Sequence, residues 1–279
     1  MFPESLKFDP APAINRFVEA LVTDYGAAFR TVGNGLLTVL VALEQILRGA
    51  PWWLVVIAVA ALAYAASRRI ALTAGSAIAL IAVGILGLWD QAMQTLALML
   101  LATALSALLG VPAGIVLARA ARAGRFVRPI LDAMQTLPSF VYLVPALMLF
   151  GLGKVPALLA TVIYALPPVA RLTALGICQA DPEAVEAADA FGATSRQKLW
   201  YVELPLALPS IMAGINQATM LALSMVVVAS MIGARGLGEE VLLGIQRLDV
   251  GRGAVAGLAI VLLAVVIDRI TQHFGRRHE

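Results

Sequence analysis

The chain alternates between long stretches that are almost free of charge and short polar segments, and this alternation predicts a bundle of membrane helices. A helix needs roughly 17 to 25 apolar residues to cross the hydrocarbon core of a bilayer. Seven stretches are predicted to span, namely residues 51–67, 70–88, 92–118, 130–151, 155–176, 210–232 and 253–271. One such stretch could be a core helix of a soluble protein, but seven in one chain favour an all-α polytopic membrane protein.

Residues 1–50 have a different pattern, in which charged residues interrupt the apolar ones. Between Ile14 and Val32 the apolar side chains recur at helical spacing, with residues such as Arg16 and Glu19 between them. This predicts an amphipathic helix that is too polar to span and lies on the outer membrane surface. We expect Gly33-Asn34-Gly35 to break it and a second short helix to cover 36–47. The alternative is a solvated extension.

Composition supports the membrane interpretation. Hydrophobic residues make up 61% of the 279 positions and charged residues 13%, whereas a soluble domain has about half and a quarter. The net charge of +3 comes from basic residues at span ends, so no nucleic-acid partner is expected. The single cysteine, Cys178, excludes an intramolecular disulfide and argues against a thiolate metal cluster. The first residues, MFPESLKFDP, do not resemble a cleaved signal peptide.

The distribution of Lys and Arg predicts an orientation in which the N-terminus is outside and the C-terminus is cytoplasmic. Twelve basic residues then lie on the cytoplasmic side: Arg68, Arg69, Arg119, Arg122, Arg125, Arg128, Arg171, Arg196, Lys198, Arg269, Arg276 and Arg277. Four lie in outer loops: Lys154, Arg235, Arg247 and Arg252. Because cytoplasmic loops carry an excess of basic residues, this bias puts the polar segment 179–208 in the cytoplasm.

The residues required for catalysis or metal binding are not found in the expected patterns. Lys154, in GLGKVP, lacks the earlier Gly and the following Ser or Thr of a phosphate-binding loop. His273 and His278 have no acidic or cysteine partner at ligand spacing, so no metal site is expected. Asp132 and Asp268 lie at span ends rather than in mid-span, which argues against a proton-coupled carrier. We therefore expect a transport subunit without its own cofactor, not an enzyme.

The polar segment 179–208 has the local signals of a helix–turn–helix. Asp181 is a good N-cap, and Pro182 suits the first turn of a helix. Gly192 is expected to supply the turn, and a second short helix is expected over residues 195–202. We expect Leu204-Pro205 to end that helix before the sixth span. A polar segment of this length between apolar spans is suited to meeting a partner in water.

Within this segment, seven positions follow the pattern E-A-A-x3-G-x9-I-x-L-P, with Val202 where Ile is usual: Glu186, Ala187, Ala188, Gly192, Val202, Leu204 and Pro205. The pattern resembles the coupling loop of bacterial ABC importer permeases. The resemblance implies that these residues dock on a separate ATPase subunit, which would hold ATP and Mg²⁺. An ordinary amphipathic surface loop is the alternative.

Three longer segments, 132–153, 164–177 and 216–242, resemble the permease of glycine betaine/proline betaine importers. The likeness extends from about Ala92 to Gly275. It implies a type I importer domain with a five-helix core over 92–275, preceded by an accessory helix pair over 51–91 and the segment 1–50. It also implies a homodimer in the bacterial inner membrane, two ATPase subunits and an extracytoplasmic solute-binding protein.

Polar, aromatic and proline residues in the fourth and sixth spans are candidates for a solute pathway. The candidates are Gln135, Pro138, Phe140, Tyr142, Asn216, Met220 and Ser224. Polar groups at this depth face protein or a water-filled cavity, prolines free backbone carbonyls, and aromatic faces attract quaternary ammonium groups. The alternative is that the polar groups only bind neighbouring helices. Gly110 with Gly114, and Gly253 with Gly257, have the spacing of helix-packing sites.

The glycine-rich segment 233–253 is expected to face outward. Glu239, Glu240 and Arg247 are candidate contacts for the binding protein, and an ordinary solvated loop is the alternative. Other functions also remain open. A permease of the same superfamily could carry choline, carnitine or an amino acid, and a secondary carrier would need no ATPase. A purely structural scaffold would not need the loop around Glu186.

Overall fold

The computed structural model describes residues 10–275, apart from the side chains of residues 121–123 and 274–275. The first nine residues of the predicted N-terminal segment, Arg276, Arg277 and His278 lie outside this description. The described chain is helical, with no strand. Its helices are α1 (Ala11–Gly49), α2 (Trp52–Ser67), α3 (Ile70–Ile85), α4 (Trp89–Arg119), α5 (Ala121–Thr136), α6 (Ser139–Phe150), α7 (Lys154–Cys178), α8 (Pro182–Ala190), α9 (Ser195–Lys198), α10 (Leu204–Ser230), α11 (Leu237–Gln246) and α12 (Val250–Gly275).

Helices α4, α7 and α10 form the centre of the fold, and small residues let them approach closely. A Cβ added at Gly114 of α4 would lie 2.5 Å from Cβ of Thr173 on α7. A Cβ at Gly176 would lie 2.7 Å from Cβ of Ser210 on α10. Small residues at helix interfaces in membranes allow backbones to approach, and van der Waals contact then holds the helices together. The prediction for Gly110 and Gly114 agrees with these contacts.

The two members of the second predicted glycine pair differ. The backbone of Gly253 packs against Gly244 of α11, where an added Cβ would lie 2.7 Å from the Gly253 nitrogen. At Gly257 no described atom lies within 4 Å of an added Cβ. Within the described chain Gly257 therefore has no packing partner, because the spacing of two glycines does not determine which face of a helix has a neighbour.

We call the end of the bundle where residues 179–208 lie the coupling end, and the opposite end, where α1 meets the starts of α4 and α7, the far end. At the coupling end, Arg119 of α4 reaches the segment that contains α8 and α9. At the far end, Arg48 of α1 pairs with Asp90 of α4 at 2.7 Å, and Lys154 of α7 pairs with Glu44 of α1 at 2.5 Å. Glu44 is only 5% exposed and Lys154 is half-buried, so the second pair is a partly buried contact between α1 and α7.

Helix α1 is one continuous helix of 39 residues, so the predicted break at Gly33-Asn34-Gly35 is wrong. A Cβ at Gly33 would lie 3.3 Å from Cδ1 of Phe150, which shows that the missing side chain admits an aromatic ring from α6. This contact, with the edge-to-face pair of Phe29 and Phe150 at 5.6 Å, outweighs the weak helix propensity of glycine.

By length and composition, five described helices could cross a membrane: α1, α4, α7, α10 with the segment before it, and α12. The prediction that the segment 1–50 is too polar to span is therefore wrong for α1, whereas its position on the outer surface stays a prediction. The bent pair α5–α6 would make six. Helices α2 and α3 occupy the first two predicted spans, but each has only 16 residues. The predicted boundaries of α4, α7 and α12 agree within a few residues, whereas the count of seven spans is not confirmed.

The fourth predicted span is bent. Its two halves, α5 and α6, meet at 101° between Thr136 and Ser139. Pro138 has no N–H to donate to the carbonyl of Met134, which a continuous helix would require. The hydroxyl of Tyr142 donates to that carbonyl instead. Pro138 therefore interrupts the span as expected, while Pro145 lies inside α6 without ending it.

Candidate coupling and transport sites

The segment between α7 and α10 begins with the predicted cap and turn. The Asp181 carboxylate accepts a hydrogen bond from the backbone N–H of Glu183 at 3.0 Å, which caps α8. Gly192 follows α8 with φ +75°, a left-handed conformation that glycine adopts without steric cost. Thr194 then starts α9 with a capping box, because its side chain and that of Gln197 each bond to the other's backbone N–H.

Two sets of charged contacts fix the position of this segment. Lys198 of α9 pairs with Asp189 of α8 at 2.9 Å, so the two short helices are held against each other. Arg119, at the end of α4, donates to the Ser195 carbonyl at 2.9 Å and pairs with Glu203 at 2.8 Å. Arg119 therefore joins α4 to α9 and the turn that follows it, and Lys198 joins α9 to α8, in addition to the chain connections of the segment to α7 and α10.

The predicted end of the second helix at Leu204-Pro205 is wrong. Residues 199–203 form one π-helical turn, in which the N–H of Leu204 bonds to the carbonyl of Leu199 five residues earlier. Pro205 then falls in the first turn of α10, where a missing N–H is tolerated. The wider turn carries the chain into α10 without a break, so α9, the π-turn and α10 form one helical path over 36 residues, Ser195–Ser230.

The predicted coupling residues differ in exposure. Glu186, Ala187 and Gly192 are exposed, and Ala188 is half-buried. Within the described residues, Glu186 forms no ion pair and is open to a partner. Val202 and Leu204 are half-buried along the path into α10, and Pro205 is exposed.

Three aromatic residues on the same segment were missed by the sequence analysis. Phe191 is 92% exposed beside Gly192, Tyr201 is 79% exposed, and Trp200 is 57% exposed. Large exposed aromatic side chains are typical of interfaces with another protein and, at the end of a membrane span, of the membrane surface. Their presence in an otherwise polar segment was the signal that could have identified them.

The candidate pathway residues of α5 and α6 divide into two groups. Gln135, Pro138 and Phe140 are exposed around the bend. Tyr142 is half-buried, with its hydroxyl bonded to Met134 and its ring 6.2 Å from that of Tyr164 on α7. Tyr142 therefore fixes the bend, and Tyr164 is an aromatic neighbour that the sequence analysis did not select.

On α10 the candidates face different ways. Ser224 is exposed, and its hydroxyl donates to the Met220 carbonyl at 3.0 Å. Met220 packs against the buried cluster formed by α4, α7 and α12. The Asn216 amide donates to Asp268 of α12 at 3.0 Å, and its oxygen accepts from Thr271. For Asn216 these contacts favour the alternative that the polar group binds a neighbouring helix.

At the far end, the three candidate docking residues also differ. Glu240 is half-buried, pairs with Arg252 at 2.7 Å and accepts from Gln91 at 3.4 Å. Its charge is thus used within the chain, joining α11 to α12 and α4. Glu239 is half-buried, whereas Arg247 is exposed at the end of α11. Leu248, next to Arg247, is 88% exposed with φ +55°, and the sequence analysis missed it.

Arg171 was expected on the cytoplasmic side and Asp132 at a span end. The two side chains form an ion pair that joins α7 to α5. The pair borders a pocket of about 330 Å³ that also contacts Arg128 and Cys178. Within the part of the chain that the structure describes, no group of three metal-ligating side chains could hold a metal ion.

Comparison with known proteins gives a family for this arrangement. Residues 110–279 match the family described as binding-protein-dependent transport system inner membrane component. The chain therefore belongs to this family of membrane permeases, and it is an inner-membrane component of an importer.

Individual relatives match over nearly the whole chain. The glycine betaine/proline betaine transport system permease protein ProW of Escherichia coli (strain K12) is 49% identical over 259 residues, which cover 93% of this chain and 73% of that protein. The glycine betaine transport system permease protein OpuAB of Bacillus subtilis (strain 168) is 45% identical over 94% of this chain and 93% of its own. The glycine betaine/carnitine transport permease protein GbuB of Listeria monocytogenes is 43% identical, with 95% and 94% covered.

Solved structures of the MetNI methionine ABC transporter in inward-facing conformations have the same fold. One form matches with a TM-score of 0.62 and 22% identity, covering 69% of this chain and 96% of that chain. A second form gives a TM-score of 0.59 at 23% identity. At this identity the likeness concerns the fold alone, and it supports the type I importer architecture.

Proposed function

We propose that this chain forms the membrane pathway of an ATP-driven importer for glycine betaine, proline betaine or a related quaternary ammonium compatible solute. The observation that carries the proposal is the identity of 43–45% to two permeases named for glycine betaine transport, with more than 90% of both partners covered. One of these relatives is also named for carnitine, so carnitine is the second solute to be tested.

ATP hydrolysis is assigned in this proposal to a separate subunit that docks on the coupling end. The support is a surface formed by exposed Glu186 and Ala187 beside the exposed ring of Phe191. An acidic group next to an aromatic anchor suits a groove with a basic residue and an apolar pocket. The contacts of Arg119 and Lys198 then supply a rigid route from the docked surface to α4 and α10.

Two copies of this chain, with two ATPase subunits, complete the proposed importer. The support is a row of exposed apolar side chains along α5 and α6, which includes Phe126, Ile130, Phe140 and Val144. A second copy would cover this face and close a pathway between the two bends. The charge bias of the loops supports an N-terminus outside, with the solute-binding protein at the far end near Arg247.

We assign recognition of the solute within the pathway to aromatic and polar side chains that bind it weakly. Phe140 and the rings of Tyr142 and Tyr164 offer aromatic surface that attracts a quaternary ammonium group. Gln135 offers an amide N–H for the carboxylate, and Ser224 can donate to it when its hydroxyl turns away from the Met220 carbonyl. Such a pathway suits a solute that must be released again, because strong binding in the pathway would slow release.

The test is uptake of labelled glycine betaine into proteoliposomes that contain this chain, its ATPase and its binding protein. The variant Glu186→Ala is compared with Glu183→Ala, which removes the same charge one turn earlier on α8. We expect uptake to need ATP and to fall about tenfold or more in Glu186→Ala, equivalent to about 1.4 kcal/mol of coupling. Glu183→Ala should retain uptake near that of the unmodified chain.

The outcomes separate the parts of the proposal. Uptake that is indifferent to ATP contradicts an ATP-driven importer. ATP-dependent uptake of carnitine, without uptake of glycine betaine, keeps the importer and changes the solute. Equal uptake by both variants and the unmodified chain contradicts the role of Glu186.

A further inference from the structure

A long apolar crevice separates the accessory helices from the core. It has a volume of about 380 Å³ and lies between α2, α4 and α12, with the end of α1 at one side and Leu80 of α3 behind it. The side chains that define its length are Leu54, Ala58, Leu62, Leu100, Leu263 and Ile270. None of the functions described above uses this crevice.

The crevice has almost no polar groups that could bind water. Among the described residues that line it, Thr271 is the only polar one, and its hydroxyl already has acceptors within the chain, the Asn216 amide oxygen and the Ile267 carbonyl at 2.9 Å. A buried water needs two to four polar partners, and interiors are packed with few voids larger than one water molecule. An apolar space of this size beside a bilayer is therefore filled by hydrocarbon.

The dimensions suit one acyl chain. From Leu54 to Leu62 on α2, and from Leu263 to Thr271 on α12, the crevice follows eight residue steps, or about 12 Å of helix. The hydrocarbon of one leaflet is about 15 Å deep, half of a core of about 30 Å. A lipid whose glycerol lies at the coupling end could thus place one chain along the crevice.

Basic residues lie just beyond that end of the crevice. Arg68 and Arg69 follow Leu62 by six and seven residues, about 10 Å along the chain direction of α2. Both are exposed, and within residues 10–275 neither guanidinium has a carboxylate partner. Arg68 has φ +54° and lies over the Tyr64 ring at 5.9 Å, so the turn holds its side chain at the end of α2. Arg269, two residues before Thr271, is exposed as well.

We propose that the crevice between α2, α4 and α12 binds one anionic phospholipid, with an acyl chain against Leu62 and Leu263 and the headgroup phosphate at Arg68 and Arg69. Arginine binds phosphate through a planar set of donors, and basic clusters at the cytoplasmic ends of membrane helices attract anionic lipids. The lipid fills the space that α2 leaves beside the core, and it thereby joins the accessory pair to α12.

The experiment measures lipid that stays bound to the full-length chain. The protein is reconstituted into nanodiscs of phosphatidylglycerol and phosphatidylcholine in equal amounts, re-extracted in mild detergent, and analysed by native mass spectrometry. We expect one phosphatidylglycerol for each chain, with little phosphatidylcholine. Because each basic residue near an anionic surface contributes about a fivefold factor, Arg68→Gln with Arg69→Gln should reduce the affinity about thirtyfold.

A second variant tests the crevice itself. Ala58→Phe inserts a ring into the crevice and should also remove the lipid. Ile57→Phe adds bulk to an exposed face of the same helix and should retain it. Size-exclusion profiles of all variants show whether the fold is intact, and the arginine pair is exposed, so its replacement leaves packing unchanged.

Three results would overturn the proposal. Equal retention of both lipids by the unmodified chain contradicts recognition of an anionic headgroup. Loss of lipid in Ala58→Phe with full retention in the arginine variant contradicts the headgroup site. Loss in the arginine variant with full retention in folded Ala58→Phe contradicts the crevice as the acyl-chain site.

Discussion

The packed centre, formed by α4, α7 and α10, and the coupling segment, residues 179–208, are stabilised in different ways. Between α4 and α7, the absence of a side chain at Gly114 lets the helices approach until an added Cβ would be 2.6 Å from the Ala170 carbonyl. In the segment of α8 and α9, no residue is fully buried, and its order comes from caps and ion pairs such as Lys198 with Asp189. The centre is stabilised by close packing of helices, whereas the coupling segment is stabilised by local polar bonds.

This difference determines how each region responds to change. Tightly packed helices cannot accept added atoms without displacing a backbone, so a small substitution there disturbs the whole fold. An exposed segment with local caps can lose one bond and remain folded, while its contact with a partner is altered. A defect in stability should therefore arise from the centre, and a defect in coupling should arise from the segment around Glu186 and Phe191.

The largest expected effect comes from one added methyl group in the centre. Gly114→Ala should destabilise the chain by more than ~3 kcal/mol or prevent folding, because both nearest atoms belong to a packed neighbour helix. Gly257→Ala is the matched control, since no described atom lies within 4 Å of the added Cβ. Thermal denaturation in detergent, followed by size exclusion, measures both. An unchanged Tm in Gly114→Ala would contradict the packing argument.

Two ion pairs that differ in exposure should differ in their contribution to stability. Lys154→Met leaves the Glu44 carboxylate, 5% exposed, without a partner, and should cost about 2 to 3 kcal/mol. Lys198→Met removes the partner of the more exposed Asp189 and should cost less than about 1 kcal/mol. The same thermal measurement compares them. Combining Lys154→Met with Glu44→Gln should recover part of the loss, and failure to recover would mean that the charge is not its source.

The sequence predicted those features of the two regions that depend on neighbouring residues. Hydrophobic stretches located α4, α7 and α12 within a few residues, and the cap at Asp181 and the turn at Gly192 followed from local backbone chemistry. The helix of α1 was predicted to break because Gly33 is a weak helix former, but Phe150, more than 100 positions away, packs on it. Partners that are distant in sequence cannot be derived from a local pattern.

The candidate sites show the same limit. Glu186 was selected because its motif is contiguous in sequence, and its role stays a prediction. The partners of Asn216 and Glu240 lie on other helices and were not predictable. A polar residue in an apolar stretch indicates that some partner exists, without indicating whether it is a solute or a helix. The bend at Pro138 was expected, but its angle of 101° depends on the contacts of α5 and α6 with their neighbours.

Removal of the most exposed aromatic side chain tests the coupling segment as an interface. Phe191→Ala should weaken binding of the ATPase subunit by about 2 kcal/mol, or about thirtyfold, because exposed aromatic anchors dominate protein interfaces. The Tm of the chain alone should stay the same, since Phe191 is 92% exposed. Binding is measured by titrating the purified ATPase onto the chain in nanodiscs. A matched control is Phe17→Ala, an exposed ring on α1, and equal weakening by both would show that the effect is not specific to the coupling segment.

The smallest expected effect concerns the cap that starts α8. Asp181→Ala removes the acceptor for the Glu183 N–H and should cost about 1 kcal/mol, confined to the first turn of α8. Hydrogen exchange of the amides of residues 183–186 should become faster, while the amides of α7 and α10 keep their protection. Asp181→Asn, which retains the accepting oxygen, should restore slow exchange. If Asp181→Ala instead accelerated exchange throughout α10, the segment and the centre would share one cooperative unit, because α9, the π-turn and α10 are continuous. The separation argued from their different contacts would then not hold.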